Sequence, residues 1–282
     1  MEKNKIGTLY LVATPIGNLR DITLRALEVL KSVDLIAAED TRHSKILLGA
    51  YEINKPLTSY HEHNKYEKAE TLIAKLKEGL DIAVITDAGT PAISDPGEVL
   101  VKMCRDEGIK VTSLPGPSAV ITALTISGMS TRRFCFEGFL PVDKKELAQA
   151  LSRIGADTRT TVIYEAPHRL KKTLKSLAEV LGERQITFCR ELTKVHEEAP
   201  MMSAAKALDY FNANEPRGEF VLVIEGRSQE EVKQEEMGKW EQMTMQEHLD
   251  YYLSQGLDKK EAMKQMAADR GVSKRDIYQA LL

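Results

Sequence analysis

Residues 82–97, IAVITDAGTPAISDPG, join a short apolar run to a loop of glycine, proline and small polar residues. The run Ile82–Thr86 has the length and β-branched content of a buried strand, and turn-forming residues begin at Asp87. Glycine allows backbone amides to approach a ligand closely, and proline holds a loop rigid. This stretch therefore predicts a strand of an α/β sheet whose carboxyl end carries a binding loop.

The same alternation extends in both directions from this stretch. Apolar runs of strand length recur up to about Gly226, and segments with helical periodicity such as Asp21–Val33 separate them. Strands separated by helices indicate a mostly parallel sheet with helices on its faces. The pattern restarts after Pro117 and Gly128, so we expect two consecutive α/β units with a ligand cleft between them.

The composition changes towards the carboxyl terminus. From Arg227 to Lys239 the chain is rich in Glu, Gln and Lys and has no apolar periodicity, which is typical of a linker. Residues 240–282 contain short helical patterns, and the last two join at Gly271 as in a helix-turn-helix unit. A helical hairpin that docks on the body or on a partner subunit fits the pattern equally well. The expected domains are residues 1–117, 118–226 and 240–282, with residues 227–239 as the linker.

The bulk composition excludes several classes of protein. The formal net charge is −3, so nucleic-acid binding would require a local basic patch. The apolar runs are far shorter than a membrane span, and the polar N-terminus lacks a secretory signal pattern. The three cysteines show no paired spacing and are expected to be free thiols in the cytoplasm. No G-x-G-x-x-G after the first strand, Walker loop, zinc-ligand spacing or G-x-S-x-G elbow is present.

Four loops of similar composition follow predicted strands. Because open α/β sheets bind ligands beyond the carboxyl ends of their strands, we expect these loops to form one small-molecule pocket. A single such loop would be typical of an ordinary turn. Asp87 and Asp95 are candidates to hold the ammonium group of an amino-acid moiety. The loops are TPIGN (14–18), DAGTP with SDPG (87–97), LPGPS (114–118) and YEAPHR (164–169).

The order of these motifs resembles one family. The chain contains, in order, VATPIGNL, AEDTR, TDAGTPAISDPG, LPGPSA, FEGFLP, YEAPHR and RGEFVLVIEG, between about residues 7 and 226. The C-terminal helices also look like that family's tail. A set of motifs in this order is highly specific, unlike any one of them. The chain is similar to the small-subunit ribosomal RNA methyltransferase I family, the cytidine-2′-O-methyltransferases within the tetrapyrrole-methylase superfamily.

The resemblance implies a fold, a cofactor and a reaction. The fold is a two-domain α/β structure with a mostly parallel first sheet, a mixed second sheet and an all-helical C-terminal module. S-adenosylmethionine (SAM) lies in the interdomain cleft of a homodimer that methylates the 2′-hydroxyl of cytidine 1402 in 16S ribosomal RNA, within the small subunit. The implied cofactor-binding residues are Pro15, Gly17, Asp87, Gly89, Thr90, Pro91, Asp95, Ser118, Tyr164 and Ala166. Some superfamily members methylate porphyrin-like carbons, so a tetrapyrrole C-methyltransferase is the alternative.

Local charge favours RNA as the substrate. Residues 132–175 contain ten Lys/Arg against five Asp/Glu, and such cations contact phosphates, although a solvated helix face explains the run equally well. The appended helices have no evident use for a small tetrapyrrole. A helix-turn-helix regulator without enzymatic activity fits worst, because most of the chain would be idle. The candidate RNA-binding residues are Arg42, Arg132, Arg133, Lys144, Lys145, Arg169 and Lys171.

Methyl transfer to a ribose hydroxyl needs a base or a hydrogen-bond acceptor, because this hydroxyl is a weak nucleophile at neutral pH. The candidates are Asp40, His43 and Glu165. Each has a structural alternative, for example an ion pair between Glu165 and Arg169. His61 and His63 suggest no third ligand, so no metal site is predicted.

Overall fold

The computed structural model describes residues 6–282, which form two compact units. The larger unit contains the residues up to Ile154 together with Arg159–Glu225, and the smaller unit contains Gly155–Thr158 and Gly226–Leu282. Two separate five-stranded sheets lie in the larger unit, and each forms one lobe with its helices. The division into domains at residues 117 and 118 stays a prediction.

The first lobe is a parallel sheet with helices on both faces. Its strands are β1 (Thr8–Val12), β2 (Leu35–Ala38), β3 (Leu57–Ser59), β4 (Ile82–Ile85) and β5 (Lys110–Leu114). Its helices are α1 (Leu24–Ser32), α2 (Thr41–Ala50), α3 (Lys65–Lys77) and α4 (Gly97–Asp106). The strand order is β3-β2-β4-β1-β5, and all neighbouring strands run parallel.

The central strands of this sheet are buried on both faces. In β4, Ile82 and Val84 pack with α3 and α4, whereas Ala83 and Ile85 pack with α1 and α2. Each fully buried large aliphatic side chain contributes about 1.5–3 kcal/mol. This two-sided burial explains the continuous apolar runs in the sequence, and it anchors the loops at the carboxyl edge of the sheet.

The second lobe is a mixed sheet. Its strands are β6 (Phe134–Phe139), β7 (Thr160–Glu165), β8 (Gln185–Arg190), β9 (Met201–Ser203) and β10 (Phe220–Ile224), in the order β6-β7-β10-β8-β9. Only β6 and β7 pair in parallel. Its helices are α5 (Ala119–Ile126) on one face and α6 (Lys144–Ala156), α7 (Pro167–Leu181) and α8 (Ala204–Ala213) on the other. The expected fold class is confirmed.

The smaller unit is helical throughout most of its length. It contains α9 (Gln229–Glu241), α10 (Met245–Ser254), α11 (Lys259–Asp269) and α12 (Lys274–Ala280). Residues 227–239, expected to be a linker, include most of α9, so the stretch without apolar periodicity is helical. The reason is a local capping box: Ser228 Oγ accepts from the Glu231 amide at 3.0 Å, and the Glu231 carboxylate accepts from the Ser228 amide at 2.7 Å.

The C-terminal helices have a core of their own. Leu249, Met263, Met266 and Ile277 are buried together, and Gly271 joins α11 to α12 at φ +63°. His248 is also buried, and its ring stacks on Trp240 with a centroid distance of 4.0 Å. Within residues 6–282, no helix has both the length and the apolar character needed to cross a membrane.

Candidate active site

A cavity of about 540 Å³ lies between the two lobes of the larger unit and is called the interlobe cleft below. Its first-lobe wall is formed by residues beyond the carboxyl ends of β1, β2, β4 and β5. Its second-lobe wall comes from β6, β7, the segment after β8 and the start of β10. This volume lies within the range of roughly 300–1,000 Å³ that is common for small-molecule sites.

Backbone and side-chain hydrogen bonds fasten three of the cleft loops to one another. Thr14 and Gly89 exchange two backbone hydrogen bonds of 2.9 and 3.1 Å, which join the loops after β1 and β4. The Thr90 hydroxyl donates to the Pro117 carbonyl at 2.9 Å, which adds the loop after β5. Gly89 has φ +86°, a conformation that side chains disfavour. The first-lobe wall is therefore preorganised.

Left-handed backbone conformations cluster around the cleft. Among residues 6–282, four of the five non-glycine residues with positive φ lie in its loops: Ala92, Ser94, Glu191 and Thr193. Such conformations cost about 1–3 kcal/mol each and persist where the surrounding structure enforces them. The cleft thus stores backbone strain, as binding sites commonly do.

The structure brings most of the expected cofactor residues together. Asp87, Gly89, Thr90, Asp95, Ser118 and Tyr164 line the cleft, whereas Pro15, Gly17, Pro91 and Ala166 do not. Gly17 instead packs against the second lobe, where an added Cβ would lie 2.5 Å from the Leu192 carbonyl oxygen. Contact of these residues with a cofactor stays a prediction.

Carboxylates dominate the electrostatics of the cleft. Glu39 is half-buried, and burial followed by repulsion from Asp87 and Asp95 raises its pKa. None of these three carboxylates forms an ion pair within the described part of the chain, and the nearby His61 acts in the opposite direction on the pKa of Glu39. The cations that line the cleft are neutralised in the pairs Arg190–Glu198 at 2.7 Å and Lys194–Glu191 at 3.1 Å. The arrangement favours a positively charged ligand.

Aromatic rings form part of the second-lobe wall. Tyr164 lines the cleft, with its ring centroid 5.5 Å from that of Phe139 and 4.9 Å from that of Phe136. Burial, Glu219 and Asp95 raise the pKa of Tyr164 to about 12, so its hydroxyl stays neutral. The wall therefore offers apolar aromatic surface that suits a heterocyclic ring.

Two of the three expected bases lie on or beside α2, outside the cleft lining. Asp40 is the N-cap of this helix, and its carboxylate accepts from the Arg42 amide at 2.8 Å. The Arg42 guanidinium also bonds to it and lowers the pKa of Asp40 to about 2, which makes it a weak base. His43 is exposed on α2.

The third expected base, Glu165, is fully buried. It accepts hydrogen bonds from the Ala166 amide at 2.8 Å and from the Thr173 hydroxyl, and Arg169 Nε lies 3.5 Å away. These contacts occupy both of its oxygens and hold the start of α7 against β7. The structural role considered for Glu165, an ion pair with Arg169, therefore accounts for its buried position.

We expect Glu165→Ala to lower the free energy of unfolding by about 3 kcal/mol or more, because it leaves the buried partners of the carboxylate unpaired. Denaturant titration measures the change. Glu179→Ala, at an exposed position on the same helix, is the matched control and should be nearly silent. Wild-type stability combined with lost activity would instead favour a chemical role for Glu165.

Glu39 is the acidic residue that sequence reasoning missed. It stands inside the AEDTR motif, but the neighbouring Asp40 was chosen as a candidate base. Two signals were available: Glu39 directly follows a buried strand, and aspartate before a helix is a preferred N-cap. Together they place Glu39 at the sheet edge and Asp40 at the start of the helix.

The candidate RNA-binding residues fall into two groups. Arg132, Arg133, Lys144 and Lys145 are exposed, and their side chains make no ion pair or hydrogen bond with any other residue that the structure describes. The others are engaged: Arg42 with Asp40 at 2.9 Å, Lys171 with Glu215 at 3.1 Å, and Arg169 with the Leu140 carbonyl at 2.6 Å. The first group is the more available to phosphates.

The two histidines after β3 lie close together, with ring centroids 6.0 Å apart. His61 Nδ1 is buried and has no hydrogen-bond partner in residues 6–282. Across that same range, no three His, Cys, Asp or Glu side chains are grouped so that they could hold a metal ion.

Comparison with known proteins reveals the family. The sequence profile of the Tetrapyrrole (Corrin/Porphyrin) Methylases matches residues 8–205. A Bacillus subtilis (strain 168) protein named ribosomal RNA small subunit methyltransferase I is 50% identical over 278 residues, 99% of this chain and 95% of the relative. A Thermotoga maritima protein of the same name is 44% identical over 222 residues, 79% of this chain and 100% of the relative. The chain belongs to this methyltransferase family.

Solved structures agree with the fold of this member of the methyltransferase I family. A uroporphyrin-III-C-methyltransferase from Thermus thermophilus superposes with a TM-score of 0.55 at 21% identity, over 77% of this chain and 94% of that chain. A diphthine synthase gives a TM-score of 0.61 at 12% identity, over 79% and 91%. Likeness at such identity extends to the fold alone. The family resemblance of the motifs is confirmed.

Proposed function

We propose that this protein transfers a methyl group from SAM to the 2′-hydroxyl of a cytidine ribose, cytidine 1402, in 16S ribosomal RNA. The observation that carries the proposal is the interlobe cleft, in which three carboxylates that form no ion pair with the described residues stand beside an aromatic wall. The names of the relatives, up to 52% identical to this chain, support ribosomal RNA as the substrate.

The residues of the cleft fit the donor. When bound, SAM supplies a methyl group on a positively charged sulfur. The carboxylates of Glu39, Asp87 and Asp95 favour such a cation, and the Tyr164 ring offers a surface for its purine. Among the residues that the structure describes, Asp87 accepts only the Asp40 amide, at 3.3 Å to Oδ1, so its other oxygen is available for an ammonium group.

Glu39 is the residue that we assign to proton acceptance. Its carboxylate faces the cleft, and burial next to two other carboxylates makes it a stronger base than an ordinary glutamate. Methyl transfer would form the bond between the acceptor oxygen and the methyl carbon and break the bond between that carbon and sulfur, whose electron pair would stay on sulfur. The proton of the acceptor hydroxyl would pass to a Glu39 carboxylate oxygen. The proton later leaves to solvent. The other task of the walls is to hold the reacting atoms in line.

Arg132, Arg133, Lys144 and Lys145 form the proposed landing surface for RNA phosphates. Their exposure and lack of ionic partners support this role. A homodimer, which the family resemblance implies, belongs to the same proposal. So do a cytoplasmic location, expected from the unpaired spacing of the cysteines, and the division into domains at residues 117 and 118, expected from the pattern of strands and helices.

The decisive experiment uses isotopically labelled SAM and small-subunit RNA, followed by nucleoside digestion and mass spectrometry. We expect the label on the sugar of one cytidine. RNA with 2′-deoxycytidine at that position is the control and should take up no label. Label on an RNA base would contradict the proposal. Label on an added tetrapyrrole, with none on any RNA nucleoside, would also contradict it and would favour the tetrapyrrole C-methyltransferase.

A further inference from the structure

A second cavity of about 380 Å³ opens in the second lobe beside the interlobe cleft. Its walls are the end of β8, the C-terminal half of α8 and the segment before β10. Arg190 and Phe220 line both cavities, so the two cavities are neighbours separated by these residues. A polymer that places one unit in the cleft would therefore place a neighbouring unit here.

Aromatic rings form one side of this second cavity. Phe188, Phe211 and Phe220 are buried, and Phe211 lies 6.0 Å from Phe188 and 5.5 Å from Phe220 between ring centroids. Tyr210 is 49% exposed, and its ring packs edge-on against Phe211 at 5.0 Å. Its hydroxyl has no hydrogen-bond partner within the described residues. The ring of Tyr210 is therefore an exposed stacking surface held by a rigid aromatic base.

The charges around the second cavity leave one cation available. Arg217 is exposed and makes no hydrogen bond or ion pair with any residue that the structure describes. The remaining charged residues of the lining are already paired, Arg190 with Glu198 at 2.7 Å and Glu215 with Lys171 at 3.1 Å. A free guanidinium is well suited to bind a phosphate group.

We propose that the second cavity binds one nucleotide of the acceptor RNA, adjacent to the nucleotide that is methylated. Its base stacks on Tyr210, and its phosphate pairs with Arg217. This inference rests on the proposed function. An exposed aromatic face beside an unpaired arginine is the combination by which proteins bind single-stranded RNA. Binding of the neighbour fixes the register of the strand, so that a single ribose reaches the donor.

The test compares Tyr210→Ala with Tyr210→Phe in steady-state methylation of small-subunit RNA. Loss of one stacked base should raise KM for RNA by about 10-fold, whereas phenylalanine keeps the ring and should stay within about twofold of wild type. Calorimetry with the demethylated product of SAM should show unchanged affinity. Tyr66→Ala, at a 66% exposed tyrosine on α3, is the matched control.

Arg217→Ala is the second variant, and Arg105→Ala on α4 is its control, because both arginines are exposed. Removal of one phosphate contact should raise KM and reduce the slope of log KM against log salt by about one. If Tyr210→Ala and Arg217→Ala both match their controls while wild type methylates RNA, the second cavity is not a nucleotide site and the proposed function stands. Absence of RNA methylation by wild type would overturn the proposed function itself.

A free nucleotide would present the same base and phosphate group to the second cavity as a nucleotide within RNA. Cytidine monophosphate alone, titrated by calorimetry, should bind only weakly, because one stacked base and one phosphate offer few contacts. If cytidine monophosphate binds tightly, and if Tyr210→Ala abolishes this binding but leaves KM for RNA unchanged, then the second cavity is a site for a free nucleotide. That result would overturn the proposal.

Discussion

Replacement of Glu39 with glutamine should lower kcat for methyl transfer by about 100- to 1,000-fold, which is the usual contribution of a general base. The amide keeps the size of the side chain but cannot accept the proton of the acceptor hydroxyl. Single-turnover assays with labelled SAM measure the loss. The affinity for the demethylated product, measured by calorimetry, should change far less, because Asp87 and Asp95 remain in the cleft.

The pH dependence gives a second readout for Glu39. Burial and the two neighbouring carboxylates raise the pKa of Glu39, and only its deprotonated form accepts a proton. The kcat/KM of wild type for SAM, which reports the unliganded enzyme, should therefore fall as pH decreases through this raised pKa, at a higher pH than an ordinary glutamate would give. The glutamine variant should lack this decline.

Glu28→Gln, at an exposed position on α1, is the matched control and should keep the wild-type profile. A different result would reassign Glu39. If Glu39→Gln keeps kcat but weakens product binding by about 100-fold, the carboxylate binds the ammonium group that donor and product share and does not take up a proton.

Substitution of Gly17 by alanine should weaken binding of the SAM product by about 10-fold or more, since overpacking costs about 1–3 kcal/mol. A Cβ at this position would lie 2.5 Å from the Leu192 carbonyl oxygen and 2.9 Å from Thr193 Oγ1. Leu192 is buried in the core of the second lobe, so its backbone cannot easily yield. The loops that border the cleft would be forced apart.

Gly49→Ala is the control for this substitution, because a Cβ at Gly49 on α2 meets no atom within 4 Å. It should leave product affinity and kcat/KM unchanged. Calorimetry and steady-state kinetics decide the comparison, with thermal denaturation as a check that both variants are folded. Wild-type affinity in Gly17→Ala would mean that the contact between the lobes does not shape the cleft.

The sequence was most informative where neighbouring residues carry the signal. The apolar run at residues 82–85 is a strand, and the glycine- and proline-containing loop after it lines the cleft, as expected. Helix α9 was not predicted within residues 227–239, because a helix without an apolar face lacks the periodicity that marks most helices. Two short-range signals remained: the helix-forming Glu, Gln and Lys of this stretch, and the capping box, which required Ser228 and Glu231 to be considered as a pair.

By itself, the sequence determined the α/β class, the separate helical module and the family, because strand length, turn chemistry and motif order are properties of consecutive residues. Local signals place Glu39 at a sheet edge and Asp40 at a helix start, but only the tertiary structure shows that Glu39 lines the cleft. Glu39 and Asp40 are adjacent in the chain, but one ends a strand and the other caps a helix, so they point to different surroundings. The contact of Gly17 with Leu192 and the joining of Tyr210 and Arg217 in one cavity also depend on folding, because they bring together residues from different elements.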